Sequence, residues 1–161
     1  MGVAKAKKAW VWLWLSAFVV LLDQLVKYWA ISHLSLGKPV VVLPFLNLSI
    51  NYNPGAAFSF LGSANGWQVY FLSGISFVVA VALIFCLGRL RRNDVLMCMG
   101  ISLIIGGAIG NFIDRVRLRY VIDYFDFHIH QWHFATFNVA DSAICIGAFL
   151  LVLTFLSPPS K

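Results

Sequence analysis

Glutamate is missing from these 161 residues. All six acidic side chains are aspartates, Asp23, Asp94, Asp114, Asp123, Asp126 and Asp141, set against 12 lysines and arginines for a formal charge of +6. Charged residues make up only 11% of the chain, which leaves no acidic tail and no helix laced with alternating charge. Cysteine is scarce too. Cys86, Cys98 and Cys145 form an odd set, each in or beside an apolar run, which fits small hydrophobes and excludes a disulfide framework or cysteine metal cluster. There is no HExxH helix, no GxSxG turn and no glycine-rich phosphate loop, so zincin, serine-hydrolase and P-loop chemistry have no support. No basic stripe with interleaved aromatics runs along the chain, and no nucleic-acid partner is expected.

What the chain has in abundance is hydrocarbon. Sixty-one per cent of its residues are apolar and the mean hydropathy is +0.86, the balance of a membrane protein. Four apolar segments, residues 10–29, 67–87, 95–113 and 139–156, stand out. At about 1.5 Å per residue each reaches roughly the 30 Å of a bilayer core. The N-terminus has the basic and apolar regions of a signal peptide but no convincing small-x-small cleavage site, so an uncleaved first span is expected.

Lys5, Lys7 and Lys8 precede the first span, Arg89, Arg91 and Arg92 join the second to the third, and Lys161 ends the chain. The positive-inside rule then predicts both termini in the cytoplasm and two outer connections, 30–66 and 114–138. Arg115, Arg117 and Arg119 run against that bias. The first connection, with its β-branched runs and Asn-Pro-Gly punctuation, predicts short strands and a turn. The second, aromatic and mixed in charge, is expected to lie along the membrane surface. Gly106 and Gly110 offer a small-residue face for helix packing.

The polar residues gather at the predicted outer side. Asp23 and Lys27 share one face of the first span; Asn111, Asp114 and Arg115 end the third; Asn138 and Asp141 open the fourth; Asn53 and Asp123 come from the connections. Each has a plainer reading. Asn138 and Asp141 could cap a helix, Asp23 and Lys27 could be a structural ion pair, Asn53 could serve its turn, and Asp114 with Arg115 could anchor at the interface. Asp94 reads as a helix start and Asp126 as a solvated loop acid. Two carboxylates brought together near hydrocarbon would part in proton affinity, giving one base to activate water and one acid to protonate a leaving amine. Asp123 and Asp141 are the natural pair. The tract "HIHQWH", with His128, His130 and His133, matches no standard metal spacing, and no metal or other cofactor is expected. A proton-coupled carrier and a structural assembly protein remain as alternatives, though a carrier would spread its polar groups over several depths.

Five stretches in order, "DQLVK" at 23–27, "NYNPGAAFSF" at 51–60, "GGAIGNFIDR" at 106–115, "VIDYF" at 121–125 and "FNVADSAICIG" at 137–147, closely resemble the bacterial lipoprotein signal peptidase (signal peptidase II) family. The resemblance covers nearly the whole chain, with no departure at the key positions. It implies a single membrane-embedded peptidase domain over 1–161: four transmembrane helices, a small extracytoplasmic β-cradle and a short surface helical segment. It implies an aspartic endopeptidase that removes signal peptides from diacylglyceryl-modified prolipoproteins, cutting just before the lipid-modified cysteine. By motif, the catalytic dyad falls on Asp123 and Asp141. Asn53, Asn111, Arg115 and Asn138 fall on substrate-holding or dyad-supporting positions, and Asp23, Lys27 and Asp114 on positions that shape the site. The implied setting is the bacterial inner membrane with the site at the periplasmic interface, membrane phospholipid around it, a monomeric enzyme, and inhibition by globomycin-like cyclic peptides.

Overall fold

The computed structural model describes residues 8–55 and 65–156; Lys5, Lys7, Lys161 and the 56–60 end of "NYNPGAAFSF" lie outside them. Four helices carry the apolar segments: α1 (Leu13–His33, after a 3-10 turn at Ala9–Trp12), α2 (Trp67–Leu87), α3 (Val95–Leu118) and α4 (Val139–Leu156). All four are long and apolar enough to cross a membrane. α2 starts from Gly66 at φ +92°, a left-handed backbone that glycine adopts without strain. α3 runs to Leu118, beyond residue 113. Asp114 and Arg115 stay helical because both side chains find partners inside the protein, and Arg119 at φ 72° then closes the helix by donating its amide to the Arg115 carbonyl. The Arg119 guanidinium lies 4.7 Å from the Tyr70 ring centroid.

α3 is the central helix, with 56% of its most apolar window buried, and α1, α2 and α4 each pack on it. Glycines set how closely. Gly106 meets Val19 and the Ser16 carbonyl of α1. Gly107 lies against the Ala140 carbonyl of α4, and Gly100 and Gly147 bring the α3 and α4 backbones together about two turns further down. A β-carbon at any of these would force the helices apart. The outward faces of α1, α2 and α4 show large apolar side chains such as Phe18, Leu21, Phe77, Val78, Phe149 and Phe155, as lipid-facing surfaces should.

A four-stranded antiparallel sheet caps one end of the bundle in the order β1 (Val40–Leu43), β2 (Leu46–Asn53), β3 (Val121–Ile129) and β4 (Trp132–His133). Residues 121–129, "VIDYFDFHI", form a strand because β-branched and aromatic side chains suit a pleated surface covered on both sides. Within the stretch expected to lie on the membrane, residues 121–129 and 132–133 are therefore sheet. Among the described residues of the outer connections every strand belongs to this sheet, and no helix occurs beyond the ends of α1 and α3. A register shift between Leu48 and Asn51 places Asn51 opposite Asp123 and Asn53 opposite Val121. Ile50, Ile122 and Tyr124 pack with Ala30 of α1 and with Leu34 just beyond its end, fixing sheet to bundle. At the far end Lys8 pairs with Arg91, and the Trp12 indole donates to the Arg92 carbonyl at 3.3 Å. Lys8, Arg91 and Arg92 thus lie at the end of the bundle opposite the sheet.

Candidate active site

The first turn of α4 would leave its amides without helical partners, and each one is supplied from elsewhere. Asn138 is the cap. Its Oδ1 accepts the Asp141 amide at 2.9 Å, while Asp141 Oδ2 accepts the Asn138 amide at 3.3 Å, a reciprocal capping box. The Val139 amide donates to the Tyr124 hydroxyl (3.2 Å) and the Ala140 amide to Asp23 Oδ1 (2.9 Å). Two other elements, β3 and α1, thereby help to fix where Asp141 stands. Its other oxygen, Oδ1, accepts the Asn111 side-chain amide at 2.8 Å.

Asp123 arrives on β3. Main-chain bonds between Phe125 and Phe137 tie that strand to the residue before the α4 cap. The Asn138 side-chain amide then donates to Asp123 Oδ1 at 2.8 Å, and Asn53 donates to Oδ2 at 3.0 Å. Asn138 therefore touches both carboxylates. Asp123 is 1% exposed. Burial, and then the nearby charge of Asp141, push its carboxyl up to about 7 against the pull of the two asparagine amides.

Behind the pair lies an ionic cluster. The Lys27 ammonium has three N–H bonds and three oxygens around it: Asp114 Oδ2 at 2.7 Å, Asp23 Oδ2 at 2.8 Å and Asn111 Oδ1 at 3.0 Å. Asp114 also accepts from Gln24 (2.9 Å) and the Ile122 amide (3.2 Å), so it fastens the start of β3 to α3. Gly110 makes room for Asp23, whose Oδ2 would sit 2.7 Å from a β-carbon there. Arg115 is 8% exposed; its Nη2 donates to the Gly55 carbonyl at 3.2 Å, and its Nε meets no partner among the described residues.

Asp123, Asp141, Asn53, Asn111 and Arg115 line one end of a cavity of about 780 Å³. The remainder is largely apolar, walled by Ile75 and Val79 of α2 and Ile144 and Ile146 of α4. α2 and α4 each pack on α3 with little direct contact between them, which leaves the apolar part as a crevice between spans. A charged, water-activating pair thus meets a hydrocarbon slot.

The nine sequence-predicted site residues all fall in or directly behind this end of the cavity. Asp126 differs from its expected solvated role. It is 6% exposed, accepting from Asn47 (3.1 Å) and His133 Nδ1 (2.8 Å), because β2 and β4 flank it. Burial raises its proton affinity, but those two hydrogen bonds and the charges of His133 and His128 outweigh it and hold Asp126 below the usual carboxylate range. The His128 and His133 rings stack at 5.1 Å, and among the described residues no three histidine, cysteine or aspartate side chains converge as metal ligands would.

Residues 15–157 match the family described as "Signal peptidase (SPase) II". The chain belongs to the signal peptidase II family. Lipoprotein signal peptidase of Coxiella burnetii (strain Dugway 5J108-111) is 63% identical over 161 residues, spanning 100% of this chain and 99% of that protein. That of Hydrogenovibrio crunogenus is 48% identical over 141 residues, or 88% and 82% of the two chains. A solved bacterial membrane enzyme superposes with a TM-score of 0.84 at 30% identity, covering 99% of each chain. As a signal peptidase II the protein is a multi-pass membrane enzyme with an aspartic-protease mechanism.

Two members of this signal peptidase's cluster are absent from the sequence reading. Gln24 bridges Asp23, the Gly110 carbonyl and Asp114; a glutamine inside an apolar span was the available signal. Tyr124 is fully buried and caps α4, which nothing in "VIDYF" distinguishes from an ordinary core tyrosine.

Proposed function

We propose that this enzyme removes the signal peptides of diacylglyceryl-modified prolipoproteins, cutting before the lipid-modified cysteine at the periplasmic face of the inner membrane, with Asp141 as base and Asp123 as acid. One observation carries the reading: the buried carboxylate of Asp123 and the half-buried one of Asp141 share Asn138 where an apolar crevice meets the sheet. Asp141 is the third residue of α4, accepts from two N–H groups and stands in the positive field of the helix N-terminus, all of which favour its anion. Asp123, at about 7, carries the proton.

Water held between them attacks the carbonyl carbon before the cysteine. Asp141 takes a proton from the water while Asp123 gives its proton to the carbonyl oxygen. As the tetrahedral intermediate collapses, Asp141 passes its proton to the departing nitrogen and Asp123 recovers one from the hydroxyl, restoring the starting state. Arg115 Nε and the Asn53 amide supply donors for the substrate's main chain. Lys27, Asp23 and Asp114 brace the dyad from behind and touch no reacting atom. The acyl chains occupy the crevice between α2 and α4, reached sideways from the bilayer. Membrane phospholipid fills it between turnovers, globomycin-like cyclic peptides compete for it, and the enzyme works as a monomer with both termini cytoplasmic.

The test is a single-turnover comparison of a diacylglyceryl-modified precursor with its unlipidated form, both fully incorporated into one detergent or bilayer system. Each buried methylene contributes about 0.8 kcal/mol to anchoring, and part of that energy can align the scissile bond. The lipidated form should be cleaved much faster at saturating enzyme. Equal rates would defeat the proposed role of the crevice.

A further inference from the structure

The catalytic cavity has a neighbour. A second cavity, of about 330 Å³, lies on the sheet and shares Asn53 and residues 134–136 with the first as a common wall. Its chemistry is the opposite of the crevice. Ser49, Asn51, Asp126, His133 and Thr136 line it, and no side chain of any transmembrane helix reaches it.

Two features fit it to an extended chain. The register shift in β2 between Leu48 and Asn51 interrupts the ladder to β3, leaving an unpaired residue at the groove. Across from it, Ala135 and Thr136 form no main-chain hydrogen bonds among the described residues, although the chain on either side is paired through Phe134 and Phe137. Unpaired main chain at two walls of a polar slot is what a polypeptide strand can add to. The Asn51 amide, bonded to the Thr136 hydroxyl at 2.9 Å, spans the walls and sets their separation.

A substrate cut at the dyad has two ends of different character. The signal peptide and acyl chains belong in hydrocarbon, while the polypeptide after the cysteine is destined for water. On the proposed activity, which this inference rests on, we propose that the second cavity holds the first few residues after the lipid-modified cysteine, in extended form. Asn53, common to both cavities and bonded to Asp123, marks the crossing. Asp126 gives the groove a negative floor that favours neutral or basic side chains over acidic ones. The site thereby reads sequence on the mature side of the cut.

The experiment uses the full-length enzyme and two synthetic peptides carrying a diacylglyceryl cysteine, one ending at the cysteine amide and one extended by four small polar residues. Wild-type kcat/KM should favour the extended peptide by about tenfold or more, a size typical of a few added contacts, and Ser49→Trp, which fills the groove, should bring that ratio close to one. A second arm compares lysine with aspartate directly after the cysteine. The wild type should prefer lysine, and Asp126→Asn should erase the preference. A length advantage that persists in folded Ser49→Trp would overturn the groove. Should that variant fail to fold, an undiminished lysine preference in Asp126→Asn would overturn it instead. If the wild type cleaves neither peptide, the activity itself falls, and the groove with it.

Discussion

Lys27 donates to the carboxamide oxygen of Asn111 at 3.0 Å, and this settles which way the amide points. An ammonium has no acceptor to offer, so the Asn111 oxygen must face Lys27 and its NH₂ must face Asp141, which it reaches at 2.8 Å. A buried cation on α1 thus presents a hydrogen-bond donor to a carboxylate on α4, through α3.

Removing that cation should be severe. Lys27→Met keeps the volume but strands the Asp23 and Asp114 carboxylates, both at most 2% exposed. Leaving a buried charge unpaired costs about 3–5 kcal/mol. Thermal unfolding in detergent should show a large drop in Tm, and adding Asp23→Asn should recover part of it. An unchanged Tm in the single variant would contradict the cluster as described.

The pH profile follows from Asp123. Its carboxyl titrates near 7 in the folded protein and near the ordinary aspartate value of about 3.9 when unfolded. The folded state therefore binds the extra proton between those values, and stability from this group is full below about 4 and falls as pH rises towards 7. Asp123→Asn should flatten that decline, so the variant gains stability over wild type with rising pH. In activity, kcat/KM should fall with a one-proton slope above about 7, where the acid is lost. Denaturation series and rate profiles across pH read the two effects separately.

Much of this site was legible because membrane sequences are sparing with polarity. Four span-length runs and five short motifs placed Asp23 and Lys27 in the outer part of the first span and Asn111, Asn138 and Asp141 at span ends, where three- and four-residue spacings define faces. The sheet was harder. "VIDYFDFHI" alternates imperfectly because residues 121–126 are covered on both sides, and the register shift in β2 has no signature in "LNLSINYN". Asp126 read as solvated because its partners, Asn47 and His133, come from two different strands. The continuation of α3 past residue 113 depends on tertiary partners for Asp114 and Arg115, which hydropathy does not register.

Close helix contact yields a matched pair of substitutions. Gly107→Ala would drive a β-carbon into the Ala140 carbonyl, next to Asp141, whereas Gly74→Ala in α2 meets nothing within 4 Å. The first should cost about 1–3 kcal/mol and depress kcat by shifting the α4 terminus. The second should be neutral or stabilising by up to about 1 kcal/mol, as helix propensity favours alanine. Unfolding curves and turnover on both variants check it, and equal behaviour would contradict the α3–α4 contact.

Orientation can be read by thiol labelling. Single cysteines at Arg91 and Lys38, both exposed, in a background lacking Cys86, Cys98 and Cys145, test the two ends of the bundle. An impermeant reagent applied to intact cells should modify position 38 and leave position 91 until the membrane is opened. Labelling of position 91 from outside would reverse the proposed topology.

The central claim is that Asp123 and Asp141 together do the chemistry. Its most direct test is single-turnover cleavage of a purified diacylglyceryl-modified precursor by Asp123→Asn and Asp141→Asn, each first shown to retain its helical content and detergent-solubilised fold. Both variants keep a polar side chain of the same size but cannot exchange protons as acid and base, so each should lose about a hundred- to ten-thousand-fold in rate. Turnover by either folded variant within a few-fold of wild type would contradict the dyad.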